Sequence, residues 1–211
     1  MTQEPPPGLI ETMYADGAGI RFLSRHLTRL SASAAALGIG FPPDRIEKGL
    51  RQAVRGLDGD GRLRLQLEAD GSFAISLQPA PATPAAPPGI VLAAQRLCSG
   101  DPLLRHKTTR RQLYDAARAD LPADGTVLDA VLLNERGEVC EGAISNLFAL
   151  CDGTLVTPPL SCGLLPGIMR GHVIEAYGAR EAVLHPADLQ HAQRLFLTNA
   201  VRGMIEVRLV A

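Results

Sequence analysis

The chain has 211 residues, of which 46% are hydrophobic and 20% are charged, and its formal net charge is -1. These values are typical of a globular protein with one large domain or two small ones, and the balanced charge argues against nucleic acid or an anionic membrane as a partner. No apolar run approaches the roughly 20 residues needed to cross a bilayer, and no secretory signal opens the sequence, so we expect a cytoplasmic protein.

A proline-rich segment divides the sequence. Residues 79–89 contain five prolines, which cannot continue a helix or a central strand and which favour an extended chain. We therefore predict a small α+β domain over residues 1–78, a linker over residues 79–89 and a larger domain over residues 90–211.

Helices and antiparallel strands are mixed in the first domain. Ser24 is a plausible N-cap for a helix that continues to Leu37, and prolines near residue 43 begin a second helix. The alternation of Leu63, Leu65 and Leu67 with polar residues predicts a half-buried strand. The remaining predicted strands cover residues 9–13, 21–23 and 73–77, the last after an Asp-Gly turn.

The second domain contains more strand than helix. Helices are predicted over residues 110–119, 166–177 and 186–192, with Gly178 as the C-cap of the middle one. Strands are predicted over residues 90–95, 126–133, 143–150, 155–156, 195–197 and 204–210. We expect a turn near residues 134–137 to join the second and third of these strands.

The cysteines give no metal-binding pattern. None of the four forms a CxxC pair, and no histidine stands at metal-site spacing from them. We expect reduced thiols at Cys98, Cys140, Cys151 and Cys162.

Two segments about thirty residues apart suggest chemistry. The first runs from Arg105 through His-Lys-Thr-Thr to Tyr114. The second begins at Glu141 with Glu-Gly-Ala-Ile-Ser-Asn, continues through a Thr-Pro-Pro sequence, and ends in Gly-Leu-Leu-Pro-Gly-Ile before a predicted helix. Each feature alone is ordinary, since a lysine before a helix is usually solvated, but their joint order is specific.

This order resembles the class-IV aminotransferase family, the fold-type-IV pyridoxal-phosphate enzymes. The likeness extends to an Arg-His-Leu-Thr-Arg-Leu helix before the linker and to Leu-Thr-Asn-Ala near the end, so that it covers residues 9–208. It implies two domains with the cofactor between them, the larger built on a mixed sheet or pseudo-barrel. It also implies a homodimer.

The resemblance assigns roles to individual residues. Lys107 matches the lysine that bonds to the cofactor aldehyde and acts as base, and Glu141 matches the carboxylate that keeps the pyridine nitrogen protonated. Arg29 matches a phosphate-binding arginine, and the N–H groups of Ile168 and Met169 would face the phosphate from a helix start. The other positions matched to the cofactor site are Ser145, Asn146, Leu165, Gly167, Thr198 and Asn199.

The local contexts discriminate among reactions within the family. Leu-Ile-Glu-Thr at Thr12 and His-Lys-Thr-Thr at Lys107 look most like aminodeoxychorismate lyases, in which Thr12 would lie near the pyruvate end of the substrate. This likeness implies conversion of aminodeoxychorismate to 4-aminobenzoate and pyruvate in the folate pathway, beside a chorismate-aminating synthase as a possible partner. The alternatives are an aminotransferase of branched-chain or D-amino acids and a cofactor-binding homologue without turnover.

Overall fold

The computed structural model describes residues 6–210, which form two units. One unit comprises the chain up to Ala82 together with His106–Arg110, and the other comprises Thr83–Arg105 and the chain from Arg111 onward. The division at residues 82 and 83 falls inside the predicted proline-rich linker. The return of residues 106–110 to the first unit was not predicted.

The first unit has a four-stranded antiparallel sheet with two helices. The strands are β1 (Leu9–Asp16), β2 (Gly19–Ile20), β3 (Gly61–Leu67) and β4 (Phe73–Pro79), in the order β2-β1-β3-β4. The helices are α1 (Leu23–Leu37) and α2 (Pro43–Ala53). Alternate leucines of β3 are fully buried in one core with Leu9, Met13, Leu30 and Ile46, as the alternation predicted.

The start of α1 differs from the prediction. Phe22 is the N-cap, with a left-handed φ of 55°, and Ser24 already lies inside the first turn. The predicted strand over residues 21–23 is wrong for the same reason. Backbone pairing continues only to Arg21, whose N–H donates to the carbonyl of Tyr14, and the helix begins almost immediately afterwards.

The second unit is built on an eight-stranded mixed sheet. Its strands are β5 (Gly89–Leu97), β6 (Val127–Asn134), β7 (Val139–Gly142), β8 (Asn146–Cys151), β9 (Thr154–Thr157), β10 (Arg180–Glu181), β11 (Arg194–Asn199) and β12 (Gly203–Leu209). Their order is β10-β9-β8-β11-β12-β5-β6-β7, with parallel pairs at β10-β9, β12-β5 and β5-β6. The helices are α3 (Gln112–Ala119), α4 (Ile168–Tyr177) and α5 (Pro186–His191).

The predicted strand over residues 143–150 is wrong at its beginning. The turn after β6 leads into a separate strand, β7, and a bend at residues 143–145 precedes β8. All four residues of β7 are buried, so its sequence shows no alternation that would mark it as a strand. Within residues 6–210, no helix has the length and apolar character needed to span a membrane.

Candidate active site

Lys107 lies next to an isolated antiparallel bridge with β1. Leu9 and Thr108 form an antiparallel bridge, and the N–H of Ile10 donates to the Lys107 carbonyl over 2.7 Å. In this register Lys107 stands opposite Ile10. Because side chains alternate between the faces of a strand, Ile10 and Thr12 share one face of β1, and the pairing brings the Lys107 backbone next to Ile10.

The chain has two lysines, and their environments differ. Lys48 is exposed on α2, where it is surrounded by water, whereas Lys107 is half-buried beside β1. An amine must lose its proton before it attacks an aldehyde. The sequence motif indicates Lys107 as that amine, and its role stays a prediction.

Arg29 is held by a buried carboxylate on the opposite, helix-covered face of β1. Its Nε and Nη2 donate to the two oxygens of Glu11 over 2.8 and 2.6 Å, and His26 Nδ1 lies 2.6 Å from the same carboxylate. The Glu11 side chain is 2% exposed and that of Arg29 is 12% exposed. The two parallel N–H contacts fix the orientation of the Arg29 guanidinium.

The Glu11 cluster predicts a pH-dependent stability. Burial alone would raise the pKa of Glu11, but the charge of Arg29 and the contacts with His26 outweigh burial and lower it from 4.5 to about 2. Since the folded-state pKa is depressed, this stabilisation is present above about pH 4.5 and is lost as the pH falls toward 2. We expect Glu11→Gln to lower the free energy of unfolding by roughly 3–5 kcal/mol at pH 7, and by much less at pH 3.

Urea denaturation at both pH values measures this difference. The control is Glu47→Gln, which removes an exposed pair with Arg51 on α2 and should change stability by under about 1 kcal/mol at either pH. A Glu11→Gln penalty of equal size at pH 7 and pH 3 would contradict the assigned pKa.

Glu141 is fixed in the second unit by donors from three segments. The Tyr114 hydroxyl donates to its Oε1 over 2.8 Å, and the N–H of Leu165 donates to its Oε2 over 3.1 Å. Asn146 Nδ2 lies 3.3 Å from Oε2 and also donates to the Leu165 carbonyl over 3.0 Å. The carboxylate is 5% exposed, so it sits in a nearly dry setting with its orientation determined.

The start of α4 has the features of an anion-binding helix terminus. Gly167 is the N-cap, in extended backbone and without a side-chain cap, and Ile168 and Met169 are the first helical residues. A Cβ at Gly167 would lie 1.9 Å from Asn146 Oδ1, so this approach requires glycine. Uncapped N–H groups and the helix dipole both favour a negative group at this point.

Three other predicted ligands have structural contacts of their own. Ser145 Oγ donates to Asp129 over 2.6 Å, and Thr198 Oγ1 lies 3.5 Å from the Asn146 carbonyl. The Asn199 side-chain oxygen accepts N–H bonds from the two residues at positions 201 and 202. These side chains shape the loops between strands, and a role toward a cofactor remains a proposal for each.

Sequence reasoning missed three polar residues of these clusters. Tyr114 stands seven residues after Lys107 in a helix, where nothing in the pattern marks a partner of Glu141. Asp129 is a fully buried carboxylate that accepts a hydrogen bond from Ser145. Most other residues of its strand, β6, are apolar. Glu11 was detectable, because it occupies an inward-facing position of β1 between Leu9 and Met13, where a carboxylate needs a cation.

The described residues fit pyridoxal phosphate. The cofactor has an aldehyde, a ring nitrogen and a phosphate, which require an amine, a carboxylate and anion donors. The first unit contains an amine at Lys107 and a guanidinium at Arg29, and the second unit contains the buried carboxylate of Glu141 and the uncapped start of α4. The close approach at Gly167 would be lost with any larger residue.

The chain is similar to known proteins over nearly its full length. Residues 8–210 match the model of the family "Amino-transferase class IV". The Schizosaccharomyces pombe protein named "Putative aminodeoxychorismate lyase" is 30% identical over 200 residues, which cover 92% of this chain and 86% of the relative.

Solved structures share the whole fold. A "putative amino-acid aminotransferase" from Mesorhizobium loti is 43% identical with a TM-score of 0.91, covering 96% of this chain and 99% of that one. The 4-amino-4-deoxychorismate lyase of Pseudomonas aeruginosa is 28% identical with a TM-score of 0.82, covering 96% and 83%. The chain therefore belongs to the class-IV aminotransferase family, whose members depend on pyridoxal phosphate.

Proposed function

We propose that the protein is a pyridoxal-phosphate lyase that converts aminodeoxychorismate to 4-aminobenzoate and pyruvate. The observation that supports this proposal is the backbone pairing beside Lys107, which brings its carbonyl to the N–H of Ile10, two residues before Thr12. The lyase reaction needs a base that also returns the proton and a polar group that orients the leaving pyruvate, and we assign these roles to Lys107 and Thr12. The names of the Schizosaccharomyces pombe and Pseudomonas aeruginosa relatives support the same reaction.

Lys107 carries the proton transfers in this proposal. Pyridoxal phosphate, when bound, supplies an aldehyde for the substrate amine and a ring that draws electron density from the adjacent carbon. The Lys107 amine removes the proton from the ring carbon that bears the substrate amine. As the carbon–oxygen bond to the enolpyruvyl group breaks, the ring becomes aromatic, and no external oxidant or reductant is consumed.

A proton must also reach the methylene carbon of the leaving enolpyruvyl group. The protonated Lys107 amine can deliver the proton that it has taken, so the residue returns to its starting state. The Thr12 hydroxyl lies two residues from Ile10, the residue opposite Lys107, and we assign it to orient the pyruvate end of the substrate. Aromatisation favours product, so little further machinery is required.

The remaining residues bind and orient the cofactor. Arg29 and the first N–H groups of α4 bind the phosphate, and Leu165 packs on the ring. Glu141 accepts the N–H of the ring nitrogen and keeps the proton there, which maintains the ring as an electron acceptor. Ser145, Asn146, Thr198 and Asn199 are assigned to shape the surrounding loops.

An aminotransferase is the second candidate. It is favoured by the Mesorhizobium loti structure, which is named as an amino-acid aminotransferase and matches this chain over nearly its full length. Both reactions begin with the same proton removal by Lys107. The two reactions differ in where the proton returns. In transamination it would go to a carbon of the cofactor, and in the lyase reaction it would go to the leaving group.

The test is a simultaneous assay of both products. Purified protein is incubated with pyridoxal phosphate and enzymatically made aminodeoxychorismate, and 4-aminobenzoate and pyruvate are quantified together. We expect equal amounts of the two, dependent on the cofactor. Cofactor binding without either product, followed by keto-acid formation from branched-chain or D-amino acids, would instead establish the aminotransferase.

The assembly is also proposed. We expect a homodimer in the cytoplasm that receives its substrate from a chorismate-aminating synthase. These points rest on the family resemblance. Light scattering of the purified protein, alone and with the synthase, measures the molar mass of the dimer and of any complex.

A further inference from the structure

We infer that Tyr114 is a positioning residue that keeps the Glu141 carboxylate ionised and aimed at the cofactor ring nitrogen. This inference rests on the proposed role of Glu141 and goes beyond it, because it assigns a function to a residue that neither the motifs nor the proposed reaction uses. Tyr114 lies on the first turn of α3, and its ring packs against the apolar cluster that contains Leu132 and Leu164.

The two oxygens of the carboxylate are held from different sides. Oε2 receives the Leu165 N–H and Asn146 Nδ2, both from segments that follow β7 in sequence. The Tyr114 hydroxyl donates to Oε1 from α3, which precedes β7. A donor on each oxygen restrains rotation of the carboxylate about its last bond, and the Tyr114 hydroxyl, at 2.8 Å, is such a donor on Oε1.

The hydroxyl can act only as a donor toward Glu141. Burial, together with the negative charge of Glu141, raises the pKa of Tyr114 well above its ordinary range. The phenol therefore keeps its proton throughout the physiological pH range, and a carboxylate can only accept it. The contact is a permanent, charge-assisted hydrogen bond.

A hydroxyl that keeps its proton changes how Glu141 and the ring nitrogen share another proton. When Glu141 and the ring nitrogen compete for one proton, a hydrogen bond to the carboxylate stabilises its anionic form and leaves the proton on nitrogen. Without the donor the carboxylate becomes more basic and can also rotate. Both changes move the proton away from nitrogen and weaken the electron acceptor on which the reaction depends.

Tyr114→Phe tests the inference because it removes one oxygen and keeps the ring packing. Pyridoxal phosphate labelled with 15N at the ring nitrogen is bound to the protein, and the nitrogen chemical shift reports its protonation without any turnover. We expect a shift typical of the protonated nitrogen in the wild type and a displacement toward the neutral value in Tyr114→Phe. We also expect kcat to fall about tenfold with KM changed by less than about twofold, since one hydrogen bond to a charged group is lost.

Tyr177→Phe is the matched control. Tyr177 ends α4 with 68% of its surface exposed, so the same atom is removed where no carboxylate depends on it. This variant should keep the wild-type nitrogen shift and kinetics. A Tyr114→Phe protein that also keeps both would overturn the inference.

A second variant guards against a folding defect in Tyr114→Phe. Replacement of Tyr114 by 3-fluorotyrosine keeps the hydroxyl and makes it a stronger donor, so the nitrogen signal should stay at or move further toward the protonated value. A displacement toward the neutral value would contradict the inference. The labelled-cofactor experiment is also separate from the product assay: a wild type that binds cofactor and makes no 4-aminobenzoate would sink the lyase proposal and leave the Tyr114 comparison valid.

Discussion

Lys107→Ala should abolish covalent attachment of pyridoxal phosphate and lower turnover by roughly a thousandfold or more, the scale expected for loss of a catalytic base. The physical reason is that, in the proposed reaction, the amine both bonds to the cofactor aldehyde and moves the proton. The measurement is the visible absorbance band of the lysine-bound cofactor, recorded with the product assay. The backbone of Lys107 pairs with β1 through its carbonyl, so alanine preserves that contact.

Lys48→Ala is the control for this variant. Lys48 is exposed on α2 and is the other lysine of the chain, so its replacement tests any non-specific reaction of the aldehyde with surface amines. We expect the absorbance band and the turnover of this variant to match the wild type. An intact band in Lys107→Ala would remove the assignment of the catalytic lysine.

Glu141→Gln should lower kcat by about a hundredfold to a thousandfold, with a change of only a few fold in cofactor affinity. Glutamine keeps the size of the side chain and can still meet the Leu165 N–H. It cannot supply the negative charge that keeps a proton on the ring nitrogen. The phosphate contacts, which supply most of the binding of a doubly charged group, are unchanged.

Single-turnover kinetics and a cofactor titration of the apo protein measure the two effects separately. Glu135→Gln is the control, because Glu135 is exposed in the turn before β7 and pairs with Arg136 on the surface. If Glu141→Gln turned over nearly as fast as the wild type, the carboxylate would have no electronic role.

Periodic patterns were enough to predict most of the secondary structure. Leu63, Leu65 and Leu67 identified β3 because a strand with one buried face must alternate. Gly178 marked the end of α4, and the structure confirms it as a left-handed C-cap with φ 63°. Such signals are local, so they can be read from one sequence.

Features that depend on distant residues were not predictable in this way. β7 is buried on both faces, and the helix start at Phe22 follows from where strand pairing ends. Residues 106–110 join the first unit through pairing with β1, a segment almost one hundred residues earlier. No local propensity encodes a pairing at that distance.

The residues of the candidate site also differ in whether they could be predicted from the sequence. Residues such as Lys107 and Glu141 stand in a motif and could be named from a family resemblance. Their supporting partners, Tyr114 and Asp129, are ordinary residues whose importance comes from the atom that they meet in space. The motif thus indicates the groups that are proposed to react, and the structure identifies the side chains that contact Glu141 and Ser145.

Borohydride reduction followed by peptide mass spectrometry tests the central claim most directly. Reduction makes the bond between lysine and cofactor permanent, and the mass of each peptide then shows which amine carried it. We expect the peptide that contains Lys107 to carry the label, at one cofactor per chain. A label at Lys48 or at the amino terminus, or no label on the cofactor-treated protein, would contradict it.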